Sequence, residues 1–180
     1  MKKNVFFGAI FSLLVLAFTA SAQTSDYSGT WTLDVSKSKL GDRNMIAEQT
    51  LTVVQTAKDI TVTPATKRNP LPDGMGGGGR PGGGGMGGGD AAMTYSLDGK
   101  ETKTEIEGRM GKMPVTLTAK SEGGRLLLTS VSSFSGPMGE VTVTTKESWG
   151  LSADGKTLTI DTERTTPRGT DSTTRVFSKK

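Results

Sequence analysis

Gly29-Thr30-Trp31-Thr32-Leu33-Asp34-Val35 alternates apolar and polar residues after its glycine. Successive side chains of an extended chain point to opposite faces, so Trp31, Leu33 and Val35 share one side and Thr30, Thr32 and Asp34 the other. This is the pattern of a strand with one buried and one wet face. It recurs along the chain at Leu51 and Val53, Ile60 and Val62, and Met93, Tyr95 and Leu97. Val115, Leu117 and Ala119 repeat it, as do Val141 and Val143, then Leu158 and Ile160. The intervening residues are mostly Thr, Lys, Ser and Glu, and β-branched Thr suits a wet strand face. Ten strands are expected, near 28–35, 48–55, 58–65, 92–97, 101–107, 114–121, 125–134, 139–150, 157–165 and 170–178. No stretch beyond the first 22 residues sustains a helical period, although 36–47 has room for one short helical turn.

The turns between these runs are coded locally. Leu97-Asp98-Gly99-Lys100 and Ala153-Asp154-Gly155-Lys156 set Asp-Gly between alternating runs, the strongest short-range hairpin signal. Glu122-Gly123-Gly124-Arg125 and Gly136-Pro137-Met138-Gly139 serve similarly. Tight turns join antiparallel neighbours, so the chain is expected to be an all-β, antiparallel up-and-down meander of eight to ten strands. A meander this long hides its edges most simply by closing, or nearly closing, into a barrel. An open or sandwiched sheet is the alternative.

The N-terminus reads as an export signal. Lys2 and Lys3 precede the apolar run Val5 to Phe18, and Thr19-Ala20-Ser21-Ala22 supplies small residues before Gln23. That is the layout of a cleaved secretory peptide, and the run is short for a spanning helix. The expected organisation is a signal peptide over 1–22 and one β-barrel domain over 23–180. The expected location is the periplasm or the cell exterior, with no stable membrane anchor after cleavage. Loss of Lys2 and Lys3 takes the formal net charge from +4 to +2, too little and too scattered for nucleic-acid binding. The chain has no Cys and no His. It therefore has no disulfide, and it lacks both the commonest general base and the commonest transition-metal ligand.

Residues 74–89 read GMGGGGRPGGGGMGGG, twelve Gly in sixteen positions. Such a composition offers nothing to bury against the entropy of ordering it. The stretch from about 70 to 90 is therefore expected to be a disordered loop between two strands. Loop closure grows only with the logarithm of length, so the barrel tolerates it. A flexible lid or an adhesive arm is the functional alternative.

Gly29-Thr30-Trp31, placed on the first strand directly after the signal, resembles the G-x-W opening of lipocalins and their calycin-type relatives. The resemblance spans the mature chain in strand pattern and these few residues in motif. It implies that Gly29 and Trp31 close one end of the barrel. It also implies that Arg175, in Thr174-Arg175-Val176-Phe177, lies over the indole. The chain lacks a T-D-Y-like middle motif, a Cys pair and a C-terminal helix. It also looks like small exported bacterial proteins of unassigned function that share the G-T-W-x-L-D-x-S-K-S opening and the L-S-x-D-G-K-T-L hairpin.

Other motifs read as structure. Gly150 to Thr157 satisfies G-x-x-x-x-G-K-[ST], but a phosphate-binding loop must open a helix, and Leu158-Thr159-Ile160-Asp161-Thr162 alternates as a strand. Ser36-Lys37-Ser38-Lys39 contains S-x-x-K without the partner elements of penicillin-interactive enzymes; a polar turn explains it. Glu101, Glu105 and Glu107 share a strand face opposite Ile106 and are expected in solvent, not as a catalytic pair in a cleft. Met75 and Met86 lie in the Gly-rich stretch, and Met45, Met93, Met110, Met113 and Met138 are scattered. These read as filler, not as a Cu(I) site. No catalytic residue, metal site or cofactor is expected, and the chain is not expected to be an enzyme.

A barrel of this size can leave a cavity. The expected lining is Leu51, Val53, Ile60, Val62, Tyr95, Leu117, Leu128, Val143 and Trp149, an inward set without a buried charge. The leading expectation is non-covalent binding of a small apolar or amphipathic molecule. The alternatives are a structural or interaction protein of the envelope with no small ligand, and an inhibitor of an exported enzyme. Neither ligand identity nor oligomeric state follows from the sequence.

Overall fold

In the computed structural model, residues 25–41, 45–69, 90–108, 111–136 and 139–180 are described. The expected signal peptide and residues 70–89 of the Gly-rich stretch lie outside them. The strands are β1 (Gly29–Leu33), β2 (Ile46–Gln55), β3 (Asp59–Arg68), β4 (Met93–Ser96) and β5 (Thr102–Gly108). They continue as β6 (Gly111–Glu122), β7 (Arg125–Gly136), β8 (Gly139–Leu151), β9 (Thr157–Thr166) and β10 (Gly169–Lys179). All ten expected strands form, each within a few residues of its expected bounds. The short helical turn is a 3₁₀ turn at Val35–Lys37.

β1 ends earlier than the alternation suggests. Asp34 leaves the strand and caps the 3₁₀ turn by accepting from the Lys37 N–H at 3.2 Å. Its carboxylate also accepts from the Ser36 hydroxyl at 2.6 Å. Val35, expected on the buried face, is consequently exposed at the surface. The S-x-x-K tetrapeptide is this polar turn, closed further by the Ser38 hydroxyl donating to the Asp34 carbonyl.

The sheet order is β4-β3-β2-β1-β10-β9-β8-β7-β6-β5, antiparallel throughout. Pairing of β1 with β10 joins the two ends of the chain. The free edges of β4 and β5 then face each other, with β4 packed against β6, so the barrel is nearly closed. One expectation fails here. The Asp98-Gly99 turn joins β4 to β5, yet these two strands are opposite edges of the sheet and share no ladder. The turn itself forms: Gly99 has φ +81°, and Asp98 accepts from the Lys100 N–H and the Ser96 hydroxyl. A tight turn reverses the chain, but β4 is only four residues long and is already paired with β3. The equivalent Asp154-Gly155 turn does join paired strands, and β9 begins at Thr157 where a phosphate loop would need a helix.

The core fills one end of the barrel. Trp31, Leu117, Leu158, Ile60, Ile160 and Phe177 are fully buried there, with Tyr27, Leu126 and Val53 beside them. Each buried side chain of this size contributes about 1.5–3 kcal/mol relative to exposure. Tyr27, just ahead of β1, packs edge-to-face on Trp149 at 5.9 Å between ring centroids. Gln55 ties this segment down, accepting from the Tyr27 N–H at 3.0 Å and donating to the Ser25 carbonyl at 3.1 Å. The Trp31 indole donates to the Tyr27 carbonyl at 2.9 Å.

The cation over Trp31 is Lys179, with Nζ 5.1 Å from the ring centroid. Arg175, expected there from the resemblance, lies elsewhere. The β1–β10 register sets Trp31 opposite Lys179. Arg175 shares the inward face but is four residues back, roughly 13 Å along a strand at ~3.3 Å per residue.

Candidate functional site

The barrel interior has two zones. Beyond the packed end lies a cavity of about 310 Å³, at the small end of ligand pockets, which run from ~300 to 1,000 Å³. Six of the nine expected lining residues bound it: Leu51, Val62, Tyr95, Leu128, Val143 and Trp149. Val53, Ile60 and Leu117 belong to the packed core and do not line it. Met93, Ile106 and Val115 add apolar surface next to the β4–β5 seam.

The expectation of a wall without a buried charge is overturned. Glu147 on β8 and Arg175 on β10 point inward and pair, with Arg175 Nη2 2.6 Å from Glu147 Oε1. Their side chains are only 21% and 17% exposed. The other carboxylate oxygen accepts from the Trp149 indole N–H at 2.9 Å. Arg175 also donates to Gln49 Oε1 and to the Thr162 hydroxyl, each at 3.2 Å. Gln49, buried on β2, passes the chain on by donating to the Thr66 hydroxyl at 3.0 Å. The network therefore ties β8, β9, β10, β2 and β3 together across the interior. Both ends of the ion pair are compensated, as burial of charge requires.

Tyr95 on β4 is buried at the cavity wall. Among the described residues its hydroxyl donates only to the Met93 thioether at 3.5 Å, a weak acceptor. Burial first, and the negative Glu147 second, push its pKa well up, so the phenol keeps its proton. Ser130 and Ser132 on β7 and Thr145 on β8 add hydroxyls to the wall, with Ser130 directly opposite Thr145 in the ladder. Exposed Arg68 and Arg164 line the rim. β9 thus runs from buried Ile160 through Thr162 to Arg164, a gradient from apolar to polar to cationic along one inward face.

Strict parity would have located the polar zone. Glu147 shares its strand face with Val143 and Trp149, and Gln49 shares its face with Leu51 and Val53. Reading every polar residue as solvent-facing hid them. Among the described residues no group of three or more His, Cys, Asp or Glu could hold a metal ion. Glu105 and Glu107 stand exposed on β5 while Ile106 is buried, and Glu101 just before it is also exposed.

A ten-stranded antiparallel meander, plugged at one end around Trp31 and hollow toward the other, is a nearly closed β-barrel. No sequence-family model matches the chain, and no curated protein matches it. Solved structures do. The zebrafish ileal bile-acid-binding protein complexed with cholic acid is similar at 17% identity and TM-score 0.47, over 86% of this chain and 98% of that one. A fatty-acid-binding protein from Manduca sexta is similar at 16% identity and TM-score 0.42, over 85% of this chain and 99% of that one.

Proposed function

We propose that this protein binds a small amphipathic molecule non-covalently inside the barrel, after export from the cell. The observation that carries the reading is the cavity of about 310 Å³ walled by Leu51, Val62 and Leu128 together with Tyr95, Ser130 and Thr145. A dry structural core would close such a space, because interiors pack to the density of organic crystals. Apolar surface there supplies affinity, and a few placed polar groups supply orientation. The export part rests on the Lys2-Lys3, Val5–Phe18 and Ala20-Ser21-Ala22 layout.

Native mass spectrometry of gently purified protein tests the reading. A co-purifying molecule of lipid-like mass, released on denaturation, is the expected result. A protein that emerges empty, and whose tryptophan fluorescence stays unchanged on addition of amphiphiles, would sink it.

A further inference from the structure

We propose that Glu147 sets the specificity of the cavity: by occupying Arg175 it turns the interior away from free acids and toward uncharged amphiphiles bearing a hydroxyl or carbonyl group. The inference rests on the cavity being a ligand site. It names the chemistry that site accepts.

Arg175 is the inward cation deepest in the cavity wall, and it is engaged. Glu147 takes it at 2.6 Å, and Gln49 and Thr162 take further donors at 3.2 Å. A ligand carboxylate reaching for Arg175 must displace Glu147. That leaves a mostly buried carboxylate without its cation, an arrangement far costlier than either intact pair. A carboxylate lodged beside an intact pair meets the negative Glu147, and the other cations among the described lining residues, Arg68 and Arg164, stand at the exposed rim. The rim arginines, Arg68 and Arg164, are exposed and act through water and salt, where ion pairs contribute little.

The unengaged polar groups are of another kind. Ser130 and Thr145 offer hydroxyls that donate or accept. The Tyr95 hydroxyl has a thioether as its acceptor and is free to exchange it for a better oxygen. A buried site built from neutral donors and acceptors favours a ligand that satisfies them.

The test compares 1-decanol with decanoate at neutral pH, read by intrinsic tryptophan fluorescence and by stoichiometry in native mass spectrometry. In the unaltered protein decanol is expected to bind about tenfold or more tighter than decanoate. In Glu147→Gln the carboxamide keeps the shape and one of the two accepted hydrogen bonds, and it frees the Arg175 charge. Decanoate affinity is expected to rise by about tenfold and the preference to reverse. The double variant Glu147→Gln/Arg175→Met, which carries neither charge, is expected to keep the preference for decanol. It also stands in should the single variant fold poorly. Equal or tighter binding of decanoate by the unaltered protein overturns the inference while leaving the binding function standing. So does a folded Glu147→Gln variant that gains nothing for decanoate. Binding of neither probe overturns both.

Discussion

Lys179 lies over the Trp31 ring, and its side chain passes directly against Gly29. A Cβ built on Gly29 would stand 2.7 Å from Lys179 Cε, and the glycine holds φ at +136°, which an L side chain rarely adopts. The G-x-W opening thus supplies both the indole and the gap through which the last strand's cation reaches it. Trp31→Ala should cost about 3–5 kcal/mol, as for other buried aromatic truncations. Lys179→Met should cost about 0.5–1 kcal/mol, and the pair should be non-additive. Trp31→Ala with Arg175→Met should instead add to within about 0.5 kcal/mol, since those residues do not touch. Urea unfolding of the two cycles measures the difference.

Glu147 is expected to matter for folding as well as specificity. Glu147→Ala leaves the Arg175 guanidinium without its counter-charge and the Trp149 N–H without its acceptor. A loss of about 3 kcal/mol is expected, at the low end for a broken buried pair because both side chains keep some solvent contact. Replacing both charges, with Glu147→Leu and Arg175→Met, should recover much of that loss. A double variant less stable than Glu147→Ala would show that the pair is held for its net stability.

Acid should weaken the fold through its turns. Asp34 and Asp98 have their carboxyls lowered from 3.8 to about 2, chiefly by hydrogen bonds from Ser36 to Asp34 and from Lys100 to Asp98. A depressed folded pKa contributes stability that is present above the unfolded value and lost as pH falls through the folded one. Stability should therefore fall between about pH 4 and pH 2. Asp34→Asn/Asp98→Asn should show a shallower decline in that window by urea midpoint. An unchanged slope would count against these turns.

Deleting Gly74–Gly89 is expected to leave the fold in place. With twelve Gly in sixteen positions the stretch offers little to bury, and shortening a loop slightly lowers its closure entropy. The melting temperature should move by no more than a few degrees. A larger drop would mean that the stretch packs on the barrel.

Exported protein is expected to begin at Gln23, from the small residues Ala20 and Ala22. N-terminal sequencing of protein recovered outside the cytoplasm checks this. A mature chain that still begins at Met1 would remove the export reading.

The strands and turns were legible in the residues because their causes are local. Alternation at Trp31, Leu33 or Leu158, Ile160 follows from the pleat alone, and Asp-Gly at 98–99 and 154–155 follows from the φ that glycine permits. Three features escaped that reading because each depends on which strand lies beside which. The seam at β4 and β5 exists because β4 is held by β3 and the barrel closes past its turn. Lys179 replaces Arg175 over Trp31 because strand register is a long-range relation that no tetrapeptide encodes. The Glu147–Arg175–Gln49 network brings together residues 28 and 126 apart in sequence. Parity puts each on an inward face, but which of them meet is decided only when the barrel curves their strands around a common interior, where they can neither reach water freely nor remain unpaired.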